Sequence, residues 1–447
     1  MDTPEIRLAG FVGAVALPDI PETVRRAAKR AILNVLATLL AGAREPAVDK
    51  AFAVLGRHNA PGNAVLATRR ERADPLFAAF LNAMASNIHD FDDTHMGTIL
   101  HPSSPVLPAL LARASEKPMS GAELLVAFIA GVEVECRIGR AISPSHYARG
   151  WHITSTCGVF GSAAACGRHD GLTAERMVAA FAVAGVQACG MVEALGTMAK
   201  SVSVGNAARG GMVAAALAAE DFDGPPTPLT GERGFLNLYA DSPCVASLTD
   251  DLGERWELTD VAYKPYPVGV VLNPLVDAAL ELRARGVTRP EEIAAVTFHG
   301  HPLLRERTDR PGVTYGRLSQ VSAQHALTIA LLRGKAGLAE FDDAAVTETM
   351  GRRPECRFVD EAGRDPSSLS MAARLASGET VTIDIPAGRG SLANPMSDDD
   401  IENKLRACAG LSGMTGNADA LIETVWSLET LDDVQRLAAL CALPEQR

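Results

Sequence analysis

The amino-acid sequence predicts a mainly α fold with an α+β part, a large all-helical domain plus a smaller α+β domain. Three observations predict it. Apolar residues recur at helical spacing up to about residue 262, strand-like texture appears only beyond about Tyr263, and helical spacing resumes after Pro395. At 447 residues the chain is too long for one compact core, which supports the division. The expected boundaries are a helical domain over 1–262, an α+β domain over 263–394, and C-terminal helices over 395–447 that return to the helical domain.

Each element has a local reason. Within 22–41, Val24, Ala28, Ile32, Leu36 and Leu39 fall on one helical face, and Gly42 is a natural stop. Asp74 before Pro75 is an N-cap followed by proline at the first helical position, opening a helix to about Ser86. Ser120 and Glu123 form a capping box ahead of the apolar stretch 124–134. Thr173 caps a helix over 174–190, and another runs from about Val204 to Glu220, before Asp223-Gly224-Pro225-Pro226. In the second region, 294–299 reads as a strand and 319–333 as a helix. Residues 370–376 and 379–385 flank Ser377-Gly378 as a two-residue hairpin. Ser397 is the cap of the returning helices, which end at Leu443.

Composition narrows the function classes. Apolar residues at 47% and charged residues at 21% exclude disorder as the main state. The net charge of -12, without a basic block, argues against nucleic acid or an anionic membrane as partner. An anionic substrate would need positive charge focused in a pocket. Eight scattered cysteines with no CxxC pair favour free thiols in a reducing compartment over disulfides or a zinc knuckle. Residues 1–13 lack the order of a signal peptide, and the apolar run 177–192 is too short for a membrane span. The expected location is cytoplasmic.

Chemistry is concentrated in loops. Residues 89–95 (HDFDDTH) and 101–105 (HPSSP) place His89, His95, His101 and three aspartates between two predicted helices. Such a set fits a metal site, a metal-free acid/base loop, or plain capping and turn chemistry. Residues 143–152 (SPSHYARGWH) combine imidazole, phenol and guanidinium groups suited to holding carboxylates, or simply connect two helices. Lys200 stands ahead of a glycine-containing helix, as a snorkelling surface residue or as a desolvated base. Gly205, Gly210 and Gly211 do not make a dinucleotide fingerprint, because no strand precedes them. Residues 264–269 (KPYPVG) lie at the domain junction, where prolines stiffen a linker.

Together, DFDDTH (90–95), HPSSPVLPALLA (101–112), RGWHITSTCGVFGSAAA (149–165), GNAARGG (205–211) and KPYP (264–267) resemble the MmgE/PrpD family. Activities in that family include 2-methylcitrate dehydratase, cis-aconitate decarboxylase and iminodisuccinate epimerase. The resemblance implies a helical domain with an α+β lid, a homodimer, no cofactor, and small di- or tricarboxylic substrates. Asp90, Thr94, His101, His152 and Lys200 match active-site residues of the decarboxylase branch. The chain departs from the family after KPYP: Gly269 and Asn273 stand where histidines are found, and His325 stands at a tyrosine position.

Because the family reactions share proton transfer at a carbon beside a carboxylate, the expected activity is a cofactor-independent epimerase of an iminodisuccinate-like dicarboxylate. Lys200 would work on one face, with Tyr147, His101 or His152 on the other. Arg149 and Lys264 would hold carboxylates, and Asp90 and Thr94 would orient the acid/base set, with no metal. The alternative is a lyase, either a 2-methylcitrate-type dehydratase or a decarboxylase. Two other classes compete: a metal-dependent hydrolase using His89, Asp90, Asp93 and His95, and a catalytically silent dicarboxylate-binding protein.

Overall fold

The structure is a computed structural model that describes residues 2–443; the last four residues of the predicted C-terminal segment lie outside them. The fold is mainly α with an α+β part. The chain divides into two compact units, one reaching Val261 and resuming at Asp398, the other spanning Ala262–Ser397.

Seven helices build most of the first unit: α1 (Glu22–Gly42), α2 (Pro75–Asn87), α3 (Ser103–Arg113), α4 (Gly121–Ile142), α5 (Ile153–Asp170), α6 (Ala174–Gly185) and α7 (Ala199–Ala219). The predicted face of α1 is buried at Val24, Ala28, Ile32, Leu36 and Leu39. Capping follows the sequence. Asp74 Oδ1 accepts from the Phe77 amide at 3.0 Å, and the Ser120 hydroxyl accepts from the Glu123 amide at 3.2 Å. Glu123 closes the box by accepting from the Ser120 amide at 2.7 Å. Each such cap stabilises its helix by about 1 kcal/mol. Small residues set the spacing of α5 and α7. A Cβ on Gly211 would stand 2.3 Å from Ser162 Cβ and 2.6 Å from the Ala163 amide nitrogen, so only glycine admits this approach.

Two helix boundaries differ from the sequence reading. α6 stops at Gly185, not at 190, because the chain then turns through Gly190 at φ +133°. α7 begins at Ala199, not near Val204, with the Thr197 hydroxyl accepting from the Ala199 amide at 3.3 Å. That earlier start puts Lys200 in the first helical turn.

The second unit opens with α8 (Asn273–Ala284) and contains β1 (Ile293–Gly300), α9 (Ala323–Arg333), β2 (Glu355–Asp360), β3 (Leu369–Leu375) and β4 (Thr380–Ile385). The sheet order is β2-β1-β3-β4, with β1–β2 parallel and the other pairs antiparallel. Val296 and Phe298 of β1 alternate inward and share a core with Leu275, Leu282, Leu327 and Met371. The predicted helix 319–333 is broken: a single turn, Gly316–Ser319, precedes α9, whose Ser322 hydroxyl accepts from the His325 amide at 3.2 Å. The hairpin loop has three residues rather than two. The Leu375 amide bonds the Glu379 carbonyl, and Gly378 takes the left-handed position such a loop requires. The KPYP tyrosine has a structural role, since Tyr266 donates to Asp277 Oδ1 at 2.7 Å.

Beyond Ser397 the chain forms α10 (Asp398–Leu411), which packs on α1 within the first unit. All eight cysteines are free, and five of them are buried. Among the described residues no single helix is long and apolar enough to cross a membrane.

Candidate active site

The loop between α2 and α3 is organised by the residues that follow it. Asp92 Oδ2 accepts from Asn87 Nδ2 at 2.7 Å and from the Ser104 hydroxyl at 2.5 Å. Asp93 Oδ2 accepts from the Ser103 hydroxyl at 2.5 Å. The two serines of HPSSP, in the first turn of α3, thus tie down two aspartates of DFDDTH. From α10, Lys404 Nζ donates to the Phe91 carbonyl at 2.7 Å and to Asn34 at 2.8 Å, buttressing the same turn. Asp90 lies at its tip with φ +52°, a left-handed conformation that costs a non-glycine residue free energy and gathers at functional positions.

Asp90 is where the loop meets α7. Lys200 Nζ donates to Asp90 Oδ1 at 2.5 Å; the lysine side chain is 3% exposed and the aspartate 42%. His101 Nε2 stands 3.4 Å from the same oxygen. The other ring nitrogen, Nδ1, lies 2.6 Å from the Asp93 carbonyl and 3.3 Å from the Thr94 hydroxyl. A carbonyl only accepts, so Nδ1 carries a proton and Nε2 is the nitrogen turned toward Asp90 and Lys200. The His101 amide donates to the Thr154 hydroxyl at 3.1 Å, which joins this loop to the start of α5.

His152, the residue before α5, completes the cluster. Burial, with Lys200 and His101 next in weight, pushes its imidazole down to about 3, so it is neutral at neutral pH. Burial likewise lifts the Asp93 carboxyl to about 7, with Asp92 adding to the rise and the Ser103 bond opposing it. One α4 side chain also bears on this loop. Glu135 is fully buried, neither carboxyl oxygen has a hydrogen-bond partner, and burial together with Asp93 holds it well above its ordinary value.

The structure therefore brings together Asp90, Thr94, His101, His152 and Lys200 from four separate stretches of sequence. It does not bring Arg149 to them. That side chain is 45% exposed and pairs with Asp241 at 3.2 Å. Tyr147 is half-buried on the short helix Ser145–Ala148, and Lys264 is buried in the second unit. His325 is committed to the fold, with its nitrogens 2.9 Å from the Thr349 hydroxyl and 2.8 Å from the Glu340 carbonyl. Asn273 begins α8 with its Oδ1 buried and without a hydrogen-bond partner.

The residues of the hydrolase alternative do not converge. His95 turns away to bond Thr98 at 2.8 Å and Glu257 at 2.9 Å, both buried, and His89 lies near the Ala41 carbonyl at 3.4 Å. Two other acidic groupings have ligand-like spacing, Asp90/Asp92/His101 and His95/Glu257/Asp260. Each already holds a side-chain cation: Lys200 on Asp90 in the first, Arg140 on both carboxylates in the second. The negative charge a metal would neutralise is thus answered from within the chain. Ser103, Ser104, Ser155 and Glu135 were not singled out by sequence reasoning. The serines lie inside the quoted motifs, so their spacing was the available signal; Glu135 sits in an apolar helical stretch that gives none.

Residues 6–246 match the MmgE/PrpD N-terminal domain and residues 266–430 the MmgE/PrpD C-terminal domain; the chain belongs to the MmgE/PrpD family. It is 30% identical over 395 residues to cis-aconitate decarboxylase of Homo sapiens, covering 83% of this chain and 80% of that one. It is 28% identical to the Mus musculus cis-aconitate decarboxylase over 462 residues, 98% of this chain and 93% of the relative. The cis-aconitate decarboxylase of Aspergillus terreus (strain NIH 2624 / FGSC A1156) is 29% identical over 474 residues, covering 96% and 94%. These relatives are enzymes, named as lyases rather than isomerases.

Proposed function

We propose that this chain is a lyase acting on a small di- or tricarboxylic acid, by proton transfer at a carbon linked to a carboxylate and without a cofactor. The observation that supports it is the Asp90–Lys200–His101 cluster beside a neutral His152. Lys200 supplies the positive charge that an acidic chain must focus to hold a carboxylate or an enolate-like intermediate. Asp90 and Thr94 orient Lys200 and His101. The names of the relatives make cis-aconitate the first substrate to test.

In a decarboxylation the C–C electron pair stays on the substrate as carbon dioxide leaves, and the spread negative charge then takes a proton from Lys200 or His101. In a dehydration His152 would remove the proton beside the carboxylate, and Lys200 would protonate the departing hydroxide. One observation favours a second reading, the epimerase. A Cβ on Gly269 would have only Val321 Cγ1 within 4 Å, at 3.7 Å, so there is room for a side chain where the decarboxylase branch carries an imidazole. An epimerase needs no leaving-group acid and tolerates that loss. NMR of candidate substrates in deuterium oxide separates the readings. Lyase action changes the carbon skeleton or the hydroxyl, and epimerase action exchanges one C–H without either.

A further inference from the structure

Resting on the proton-transfer chemistry just proposed, we infer that Ser155 and Ser203 are positioning residues that lock His152 as its Nδ1–H tautomer and leave Nε2 as the site's proton acceptor. His152 Nδ1 is 3.0 Å from the Ser155 hydroxyl oxygen and 3.4 Å from that of Ser203. Each hydroxyl has another acceptor for its own proton. Ser155 donates to the His152 carbonyl at 3.0 Å, and Ser203 donates to the Lys200 carbonyl at 2.8 Å. With both hydroxyl protons committed to backbone, both oxygens face Nδ1 as lone pairs, and the ring answers by placing its proton there. Nε2 then bears the lone pair, and it makes no hydrogen bond among the described residues, although His152 is 3% exposed.

The seat is built for this arrangement. The His152 amide donates to the Gly190 carbonyl at 3.2 Å, which fixes the backbone that carries the ring. At Gly190 any Cβ would stand 2.0 Å from Ser155 Oγ and 3.3 Å from His152 Cβ, and φ is +133°. Only glycine leaves Ser155 where it reaches Nδ1. The charges facing the ring are Lys200 of α7 and His101, Asp90 and Asp92 of the loop before α3. Burial first, then the neighbouring Lys200, keeps the ring neutral, the state in which a lone pair accepts a proton.

In the step this serves, the substrate C–H bond beside a carboxylate breaks. Its electron pair stays on carbon and spreads into the carboxylate, and the proton goes to Nε2, giving an imidazolium that still donates from Nδ1. Reversal returns a proton from Nε2 to carbon, or a deuteron once that N–H has exchanged with solvent. The wrong tautomer would present an N–H to the C–H bond, and no transfer could begin.

The test uses full-length protein labelled with ring-15N histidine, with His152 assigned by its loss in His152→Gln. The expected spectrum at neutral pH has a protonated-type Nδ1 and an unprotonated Nε2. In Ser155→Ala/Ser203→Ala the two nitrogens should show mixed tautomers, and exchange of the substrate C–H with deuterium oxide should fall about tenfold in kcat with KM changed less than about twofold. Ser155→Thr, which keeps a hydroxyl, should restore the single tautomer in a Ser203→Ala background. A protonated Nε2 in the unaltered protein, or a double variant with an unchanged spectrum, would overturn the inference whatever the enzyme turns over. The expected spectra in a protein that turns over no carboxylate would uphold the tautomer lock and contradict the proposed reaction instead.

Discussion

Lys200 shows how much a single contact decides. A lysine ahead of a helix is ordinarily a solvated surface group, yet here it is 3% exposed and donates to Asp90. Its loss removes positive charge from the cluster, while Asp90, 42% exposed, stays within reach of water and of His101. Lys200→Met should therefore lower turnover by about 10²-fold while the melting temperature stays within a few degrees, checked by steady-state kinetics and calorimetry. Glu135 gives a prediction of opposite kind. Its folded carboxyl keeps a proton that the unfolded chain releases above its ordinary value of 4.5. The native state then binds more protons than the unfolded one, so this group's stability contribution is lost as pH rises above that value. Glu135→Gln removes the slope. Its melting temperature should gain on the unaltered protein as pH rises above 4.5, by at most about 1.4 kcal/mol per pH unit; a constant difference would show that Glu135 is ionised in the fold.

Among the elements, α5 and α7 carry the site, and their close approach holds His152 and Lys200 in register. Gly211→Ala would force a methyl into Ser162 and the Ala163 backbone, so it should destabilise by about 2–3 kcal/mol, read from denaturant midpoints. The helices of the first unit were legible because each announces itself locally: Asp74-Pro75, the Ser120–Glu123 box and the α1 face are all short-range signals. β2 was not legible. Its charged–apolar alternation, Glu355-Cys356-Arg357-Phe358, is short and breaks at Val359, and the strand lies at a sheet edge, mostly exposed. The break before α9 was hidden for another reason, since apolar residues continue through it and only Ser322 marks the new start. At the candidate site, the sequence offered Asp90, Thr94, His101, His152 and Lys200 as candidates, whereas the partners of each required three dimensions. Spacing alone could not show that His95 points to Glu257 while His101 points to Asp90, because both belong to the same few residues.

For the whole molecule, apolar surface concentrates on one segment of the first unit, where Val186, Met191, Leu195, Met198 and Val202 are exposed. Such a patch suits burial against a second copy. The proposed homodimer should appear in light scattering at twice the chain mass at micromolar concentration, and Val186→Asp/Met191→Asp should shift it toward monomer. The central claim, that this chain is a carboxylate lyase working by proton transfer from its own side chains, is tested most directly by one measurement. Purified protein in EDTA and deuterium oxide is given cis-aconitate and followed by NMR. The expected result is loss of substrate with one new carbon-bound deuterium in a product that has shed carbon dioxide, or with hydration across the double bond, and the same change about 10²-fold slower with Lys200→Met. Unaltered substrate carrying no deuterium, or activity that returns only when a divalent metal is added, would contradict it.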